Sequence, residues 1–383
     1  MLPRLHRRFR NRVSFRASSA QFAAKQVAPW AGRCLLLLAL AAAVPLRAQL
    51  APSPDASPIS NAPAQTEEKP MTTLRVNVNL VSLYFTAKDD HGELVPHLTR
   101  QDCKVSEDKQ PQTLKSFQAV TNQPLTLGLL LDTSGSQQRV LPLEQQFGSE
   151  FLDRVLKRQD QAFLVSFDVN VDLLQDFTNS PRELERAMDK AQINIGGGSY
   201  GVPGIGGGPV PTSGAPKGTL LYDAIDQVSN DKLSVQTGRK AVILLTDGED
   251  QGSSVKIADA IAAAQKANVI VYVILIADRG FYNGFGYGGD FAMRRIANET
   301  GGRLIDVGNN GKKLEAAFQQ IEDELRTQYI ASYTPTNQHF NGEYRHVAVT
   351  CQSEPSGADK AQDLHVQVRQ GYYAIPTPTD SDN

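Results

Sequence analysis

Leu127-Gly-Leu-Leu-Leu-Asp-Thr-Ser-Gly-Ser136 carries two signals at once. Five mostly large apolar residues run into Asp132, and three hydroxyl residues and a glycine follow. A short unbroken apolar run reads as a strand buried on both faces, the habit of a parallel sheet. An open α/β sheet presents its ligand at the carboxyl ends of such strands. Asp132, Ser134 and Ser136 are spaced by two, and Gly135 allows a tight turn between them, so a carboxylate and two hydroxyls can converge. Hard oxygen donors with few charges suit Mg²⁺ or Mn²⁺ better than zinc, which prefers Cys and His.

Alone, D-x-S-x-S is weak, because Ser and Asp are also common turn and helix-cap residues. Two further stretches add weight. Ala241-Val-Ile-Leu-Leu-Thr-Asp247-Gly248 is a second apolar strand ending in aspartate and glycine, and Gly218-Thr219-Leu-Leu-Tyr-Asp-Ala-Ile225 leads through glycine and threonine into a helix. Together they resemble the von Willebrand factor type A (VWA) domain and its metal-ion-dependent adhesion site, MIDAS. That pattern is D-x-S-x-S, then a threonine, then an aspartate; here it matches Asp132, Ser134, Ser136, Thr219 and Asp247 in order. The resemblance implies that Ser134, Ser136 and Thr219 offer hydroxyl oxygens to a Mg²⁺ or Mn²⁺ ion. Asp132 and Asp247 would hold it directly or through water, and an Asp or Glu of a protein partner would complete its shell. The competing reading is that these five residues cap helices and stabilise turns without metal. Asp223, Glu249 and Asp250 lie nearby and read as supporting or solvated charge.

The chain has 383 residues, room for one large or two ordinary domains, and a formal charge of −2. That figure hides an asymmetry. Before residue 49 stand nine basic residues and no acid, leaving 30 basic against 41 acidic side chains in the rest. An acidic body argues against a nucleic-acid partner. Residues 1–48 read as an export signal, with basic residues to Arg33 and an apolar core from Cys34 to Val44 too short to span a bilayer. An uncleaved membrane anchor is the alternative. The stretch 49–70, with five prolines among Ser, Ala and Gln, reads as a disordered linker.

Residues 71–121 alternate apolar and polar in short runs, at 74–86, 103–105 and 113–117, with Glu107-Asp108-Lys109 as a turn. The segment 329–376 does the same at 329–333, 346–351 and 364–368. Neither is large enough to bury a core alone, so the two pair into one small β-sandwich. The α/β domain, 122–328, is inserted between them as a doubly wound, mostly parallel six-stranded sheet, and 377–383 is a disordered tail. This layout resembles bacterial exported VWA-related proteins in which a strand-rich segment precedes the α/β domain and a tail rich in Tyr, Gly and Pro follows. Tyr329, Tyr333, Pro335, Arg345, Gly371 and Tyr372 carry that likeness.

Within 122–328, strands and helices alternate as a doubly wound sheet requires. Helices are expected at 140–157, from Pro181, and at 220–228, 255–268, 291–300 and 314–328. Further strands are expected at 162–167, 171–177 (an antiparallel edge), 269–276 and 303–306. The glycine-rich run 196–218 contains no G-x-x-x-x-G-K-[ST] and reads as a flap beside the metal. The aromatic-glycine loop 280–289 reads as an adaptable contact surface, or both are tolerated insertions.

A Mg²⁺-dependent phosphatase is the rival class, but it needs a second aspartate two residues after Asp132, where Ser134 stands. Neither Ser134 nor Ser136 lies in G-x-S-x-G, and no histidine is an evident base. A third reading is a scaffold subunit of an envelope complex that binds through the sandwich. Cys103 and Cys351, the cysteines left after the signal, fall on apolar-facing strand positions; a disulfide and two buried thiols both remain open.

Overall fold

The computed structural model describes residues 79–120, 123–193, 218–277, 289–353 and 361–375. The expected signal 1–48, the linker 49–70, nearly all of the glycine-rich run and the aromatic-glycine loop, and the tail 377–383 lie outside them. Among the described residues no helix is long and apolar enough to cross a membrane.

The chain opens with four short strands, β1 (Val81–Lys88), β2 (Cys103–Glu107), β3 (Gln110–Gln112) and β4 (Leu114–Ala119). The β2–β3 hairpin turns through Asp108 and Lys109, whose φ values of 46° and 66° both lie in the left-handed region, as a two-residue primed turn demands. Then comes β5 (Leu125–Asp132), followed by α1 (Leu141–Val155), β6 (Gln161–Phe167), β7 (Val171–Thr178) and α2 (Pro181–Met188). After the glycine-rich segment follow α3 (Leu221–Gln227), β8 (Arg239–Thr246), α4 (Ile257–Lys266) and β9 (Ile270–Leu275). The α/β part ends with α5 (Gly289–Thr300), β10 (Leu304–Asp306) and α6 (Gly311–Arg326). Strands β11 (Tyr329–Tyr333), β12 (Tyr344–Ser353), β13 (Gln362–Asp363), β14 (His365–Val368) and β15 (Gly371–Tyr373) close the chain.

The six-stranded sheet has the order β10-β9-β8-β5-β6-β7, parallel throughout except for β7, which pairs antiparallel to β6. Strands β5 and β8 are buried at every position because helices cover both faces. One apolar cluster gathers α1, α2 and α6 on one face, and a second gathers α3, α4 and α5 on the other. Gly128 is required in β5 by its neighbour. A Cβ there would stand 2.5 Å from the ring of Phe163, its register partner on β6. The chain leaves β5 towards β6 on one side and later builds β8, β9 and β10 on the other, so the switch point lies between β5 and β8.

The remaining strands form two antiparallel sheets around a third apolar cluster. One has the order β14-β1-β11-β4 and the other β13-β12-β2-β3, with β15 also pairing β12. Strands from before and after the α/β part alternate in the first sheet and meet at the β12–β2 pairing in the second, so each sheet needs both halves. The register sets Cys103 opposite Cys351, and the two form a disulfide across 248 residues of sequence. The free-thiol alternative is thereby corrected: antiparallel pairing brings together cysteines whose separation no sequence pattern reveals. Lys88 on β1 pairs with the buried Glu324 of α6 at 3.0 Å, and Gln265 of α4 donates to the Tyr344 hydroxyl at 3.2 Å, tying sandwich to α/β layers.

Candidate metal centre

Asp132 is the last residue of β5, and Asp247 follows the last residue of β8. Adjacent parallel strands with Leu131 opposite Leu245 therefore deliver two carboxylates to one rim. Both are buried, with 0% and 2% of their surface exposed. The loop after β5 folds back on its own aspartate: Ser134 N donates to Asp132 Oδ1 at 3.0 Å, and the Ser134 and Ser136 hydroxyls lie 3.0 Å apart. Thr246 Oγ1 donates to the other oxygen, Asp132 Oδ2, at 2.6 Å. Glu249 N donates to Asp247 Oδ1 at 3.1 Å.

Thr219 reaches the same rim through its backbone. Its N–H and carbonyl pair with Gln251 at 3.2 and 3.0 Å, in the loop that follows Asp247. The next residue, Leu220, donates to the carbonyl of Asp168 at 2.7 Å, and the Asp168 side chain accepts from Thr133 Oγ1 at 2.9 Å. The loops after β5, β6 and β8 and the start of α3 are thus bonded to one another around the switch point. The structure brings the two aspartates, both serines and Thr219 to this one edge.

The electrostatics follow from that crowding. Burial, and then the negative charge of Asp247, hold the Asp132 carboxyl well above the ordinary carboxylate range, against the lowering effect of bonds from Ser134 and Thr246. Glu144, fully buried on α1, is raised too, by burial first and then by Asp132 and Asp247. Neither Glu144 oxygen has a hydrogen-bond partner, nor does the buried Oε1 of Gln137. A divalent cation inverts this balance, since its charge offsets repulsion between the carboxylates that face it. The donor set of carboxylate and hydroxyl oxygens fits a hard cation. Asp132, Ser134, Ser136, Thr219 and Asp247 are the residues that could hold it.

Three neighbours, expected as supporting or solvated charge, take the supporting role. Asp250 Oδ1 accepts from Leu221 N, Tyr222 N and Ser253 Oγ, closing the start of α3. Asp223 accepts from Ser254 N and Oγ and from Val255 N. Glu249 Oε1 accepts from Gly289 N at 3.0 Å, fastening α5 to the loop. Sequence reasoning passed over Thr246, Asp168 and Glu144. Glu144 left a readable trace: it stands on the buried stripe Leu141, Glu144, Gly148, Phe151, where helical spacing calls for an apolar residue.

No family model matches the chain, and no curated protein does. Among solved structures it is similar to the conserved hypothetical protein BatB from Bacteroides thetaiotaomicron, at 16% identity over 53% of this chain and 99% of that one, with a TM-score of 0.40. It is also similar to proximal thread matrix protein 1 from the mussel byssus, solved with a zinc-occupied MIDAS motif. There the identity is 16% over 57% of this chain and 50% of that one, with a TM-score of 0.42. A von Willebrand factor type A protein from Catenulispora acidiphila shares 11% identity over 72% of this chain and 73% of its own, at a TM-score of 0.42. By strand order, and by the position of the D-x-S-x-S loop at the switch point, the α/β part has a von Willebrand factor type A-like fold.

Proposed function

We propose that this chain is an exported, metal-dependent protein-binding module. Mg²⁺ or Mn²⁺ held by Asp132, Ser134, Ser136, Thr219 and Asp247 captures an Asp or Glu side chain of a partner protein. One observation carries the reading: a buried carboxylate, Asp132, sits beside a second, Asp247, within a ring of hydroxyl-bearing residues at the sheet's switch point. An ion whose proposed ligands include only two carboxylates stays electron-poor and keeps exchangeable waters, so an incoming carboxylate completes its coordination. Export is supported by the Cys103–Cys351 disulfide, a bond that persists in oxidising compartments. Membrane attachment follows only if residues 1–48 stay uncleaved. The proposed division is 71–121 and 329–376 for the sandwich and 122–328 for the binding domain. No catalytic residue is assigned, because Ser134 occupies the position where phosphatase chemistry needs an acid.

Isothermal titration with Mg²⁺ and Mn²⁺ tests the site. The wild-type protein is expected to give a saturable heat that Asp132→Ala abolishes; a wild-type protein that binds neither ion sinks the proposal. Partner capture from an envelope extract should then disappear with chelator. Capture that survives both chelator and Thr219→Ala points to docking through the sandwich instead.

A further inference from the structure

The body of this protein is acidic, yet it holds a pocket whose only charged walls are cations. The pocket, of about 420 Å³, lies where the start of β1 and the end of β15 meet the carboxyl end of α4, and no aspartate or glutamate lines it. Its two charges are Lys266 and Arg369. Arg369 Nη1 donates to Asn268 Oδ1 at 2.9 Å and Nη2 to the Ser82 carbonyl at 3.2 Å, while the enclosed Nε finds no partner. Both acceptors are neutral. Beyond burial, the groups that act on this guanidinium are the hydroxyls of Tyr333, Tyr372 and Tyr344, not a carboxylate. Lys266 is exposed and holds its ammonium 5.1 Å from the ring centre of Tyr373, with no acidic partner among the described residues. The last carbonyls of α4 could offset this charge, but those of Ala263, Ala264 and Gln265 already accept from Ala267, Val269 and Asn268.

A guanidinium cannot shed its charge to escape such a setting, so an unpaired one favours an anion. The walls indicate what that anion is attached to. Leu80 and Ile375, 49% and 51% exposed, are two of the five large apolar side chains left open among the described residues, and both line this pocket beside Phe340. A bare inorganic anion would leave them in water. We propose that the pocket binds a small amphipathic carboxylate, its carboxyl group held by Lys266 and Arg369 and its aliphatic body laid on Leu80, Phe340 and Ile375. A pocket of this volume suits a small molecule, and the planar fork of an arginine matches a carboxylate. The site shares no residue with the candidate metal centre, so the two readings stand or fall separately.

Isothermal titration of the full chain with octanoate, acetate and 1-octanol separates charge from body. Octanoate is expected to bind saturably, with or without chelator. Acetate lacks the body and 1-octanol lacks the charge, so each should bind about tenfold more weakly or worse. Lys266→Glu, a change on an exposed side chain, should weaken octanoate about tenfold or more. Leu80→Ser combined with Ile375→Ser should weaken octanoate and leave acetate unchanged. Octanoate that fails to bind, that 1-octanol matches, or that binds Lys266→Glu as tightly as wild type overturns the inference. Asp380 and Asp382 follow Ile375 by five and seven residues, so their carboxylates are the competing occupant. Octanoate that binds only when both are replaced by asparagine assigns the pocket to the chain's own tail and overturns an external ligand.

Discussion

Two of the places where this molecule buries charge do so in opposite ways. In the sandwich, Glu107 and Arg345 are both buried and pair at 3.1 Å. Glu107 Oε2 also accepts from Tyr333 and Tyr372, each at 2.8 Å, while Arg345 donates to the carbonyls of Asn337 and His339. Every charge there has an opposite charge and several hydrogen bonds. At the rim of the α/β sheet, Asp132, Asp247 and Glu144 share one field of like sign, and both Glu144 oxygens lack a partner. A closed ion pair holds a core together. A like-charged, hydroxyl-lined cluster is costly unless a cation joins it, and that cost marks a binding site.

The sharpest break of this contrast is on the sandwich side. Arg345→Met strands Glu107 in the core and is expected to cost about 3–5 kcal/mol in urea unfolding; a loss under about 1 kcal/mol would mean that the network is not closed. On the rim the expected sign reverses. Mg²⁺ at about 100 times its Kd should raise the unfolding free energy by about 2.7 kcal/mol, seen as a higher Tm, and Asp132→Ala should erase the gain. Without metal, Glu144→Met should stabilise the protein by roughly 1–2 kcal/mol, because an unpaired buried carboxyl is replaced by an apolar chain of similar length. Destabilisation by Glu144→Met would show that Glu144 is satisfied after all.

The smallest effect concerns acid. Burial works to raise the Asp223 carboxyl, but hydrogen bonds from Ser254 and Val255 outweigh it and leave it below the ordinary value. A lowered folded-state pKa contributes stability above the unfolded value of about 4 and loses it as pH falls further. Asp223→Asn should therefore flatten the low-pH arm of the stability profile; an unchanged arm would remove Asp223 from the account.

Much of the fold was legible before the structure. The unbroken apolar runs at 127–131 and 241–245 became β5 and β8, and Pro181 opens α2. Val171–Thr178 is the antiparallel edge strand expected at 171–177. The candidate positions were what the resemblance implied: Asp132, Ser134, Ser136 and Asp247 lie at or just after a strand end, and Thr219 stands just before α3. The supporting contacts were not legible. Thr246 bonded to Asp132 spans 114 residues, and Gln251 paired with Thr219 joins two loops. For Asp223, Glu249 and Asp250 the supporting and solvated readings both stayed open, because composition cannot tell a free carboxylate from one gripping backbone N–H groups.

Periodicity and motif order are local properties, written in consecutive side chains whether or not the chain is folded. Strand type, sheet class and the five oxygen-bearing candidates could be read for that reason. Which strands pair in the two small sheets, that Cys103 meets Cys351, and that Glu144 is buried within the field of two aspartates are long-range facts. They depend on register and crossover, which bring together residues separated by up to 287 positions, and no local pattern encodes such a meeting.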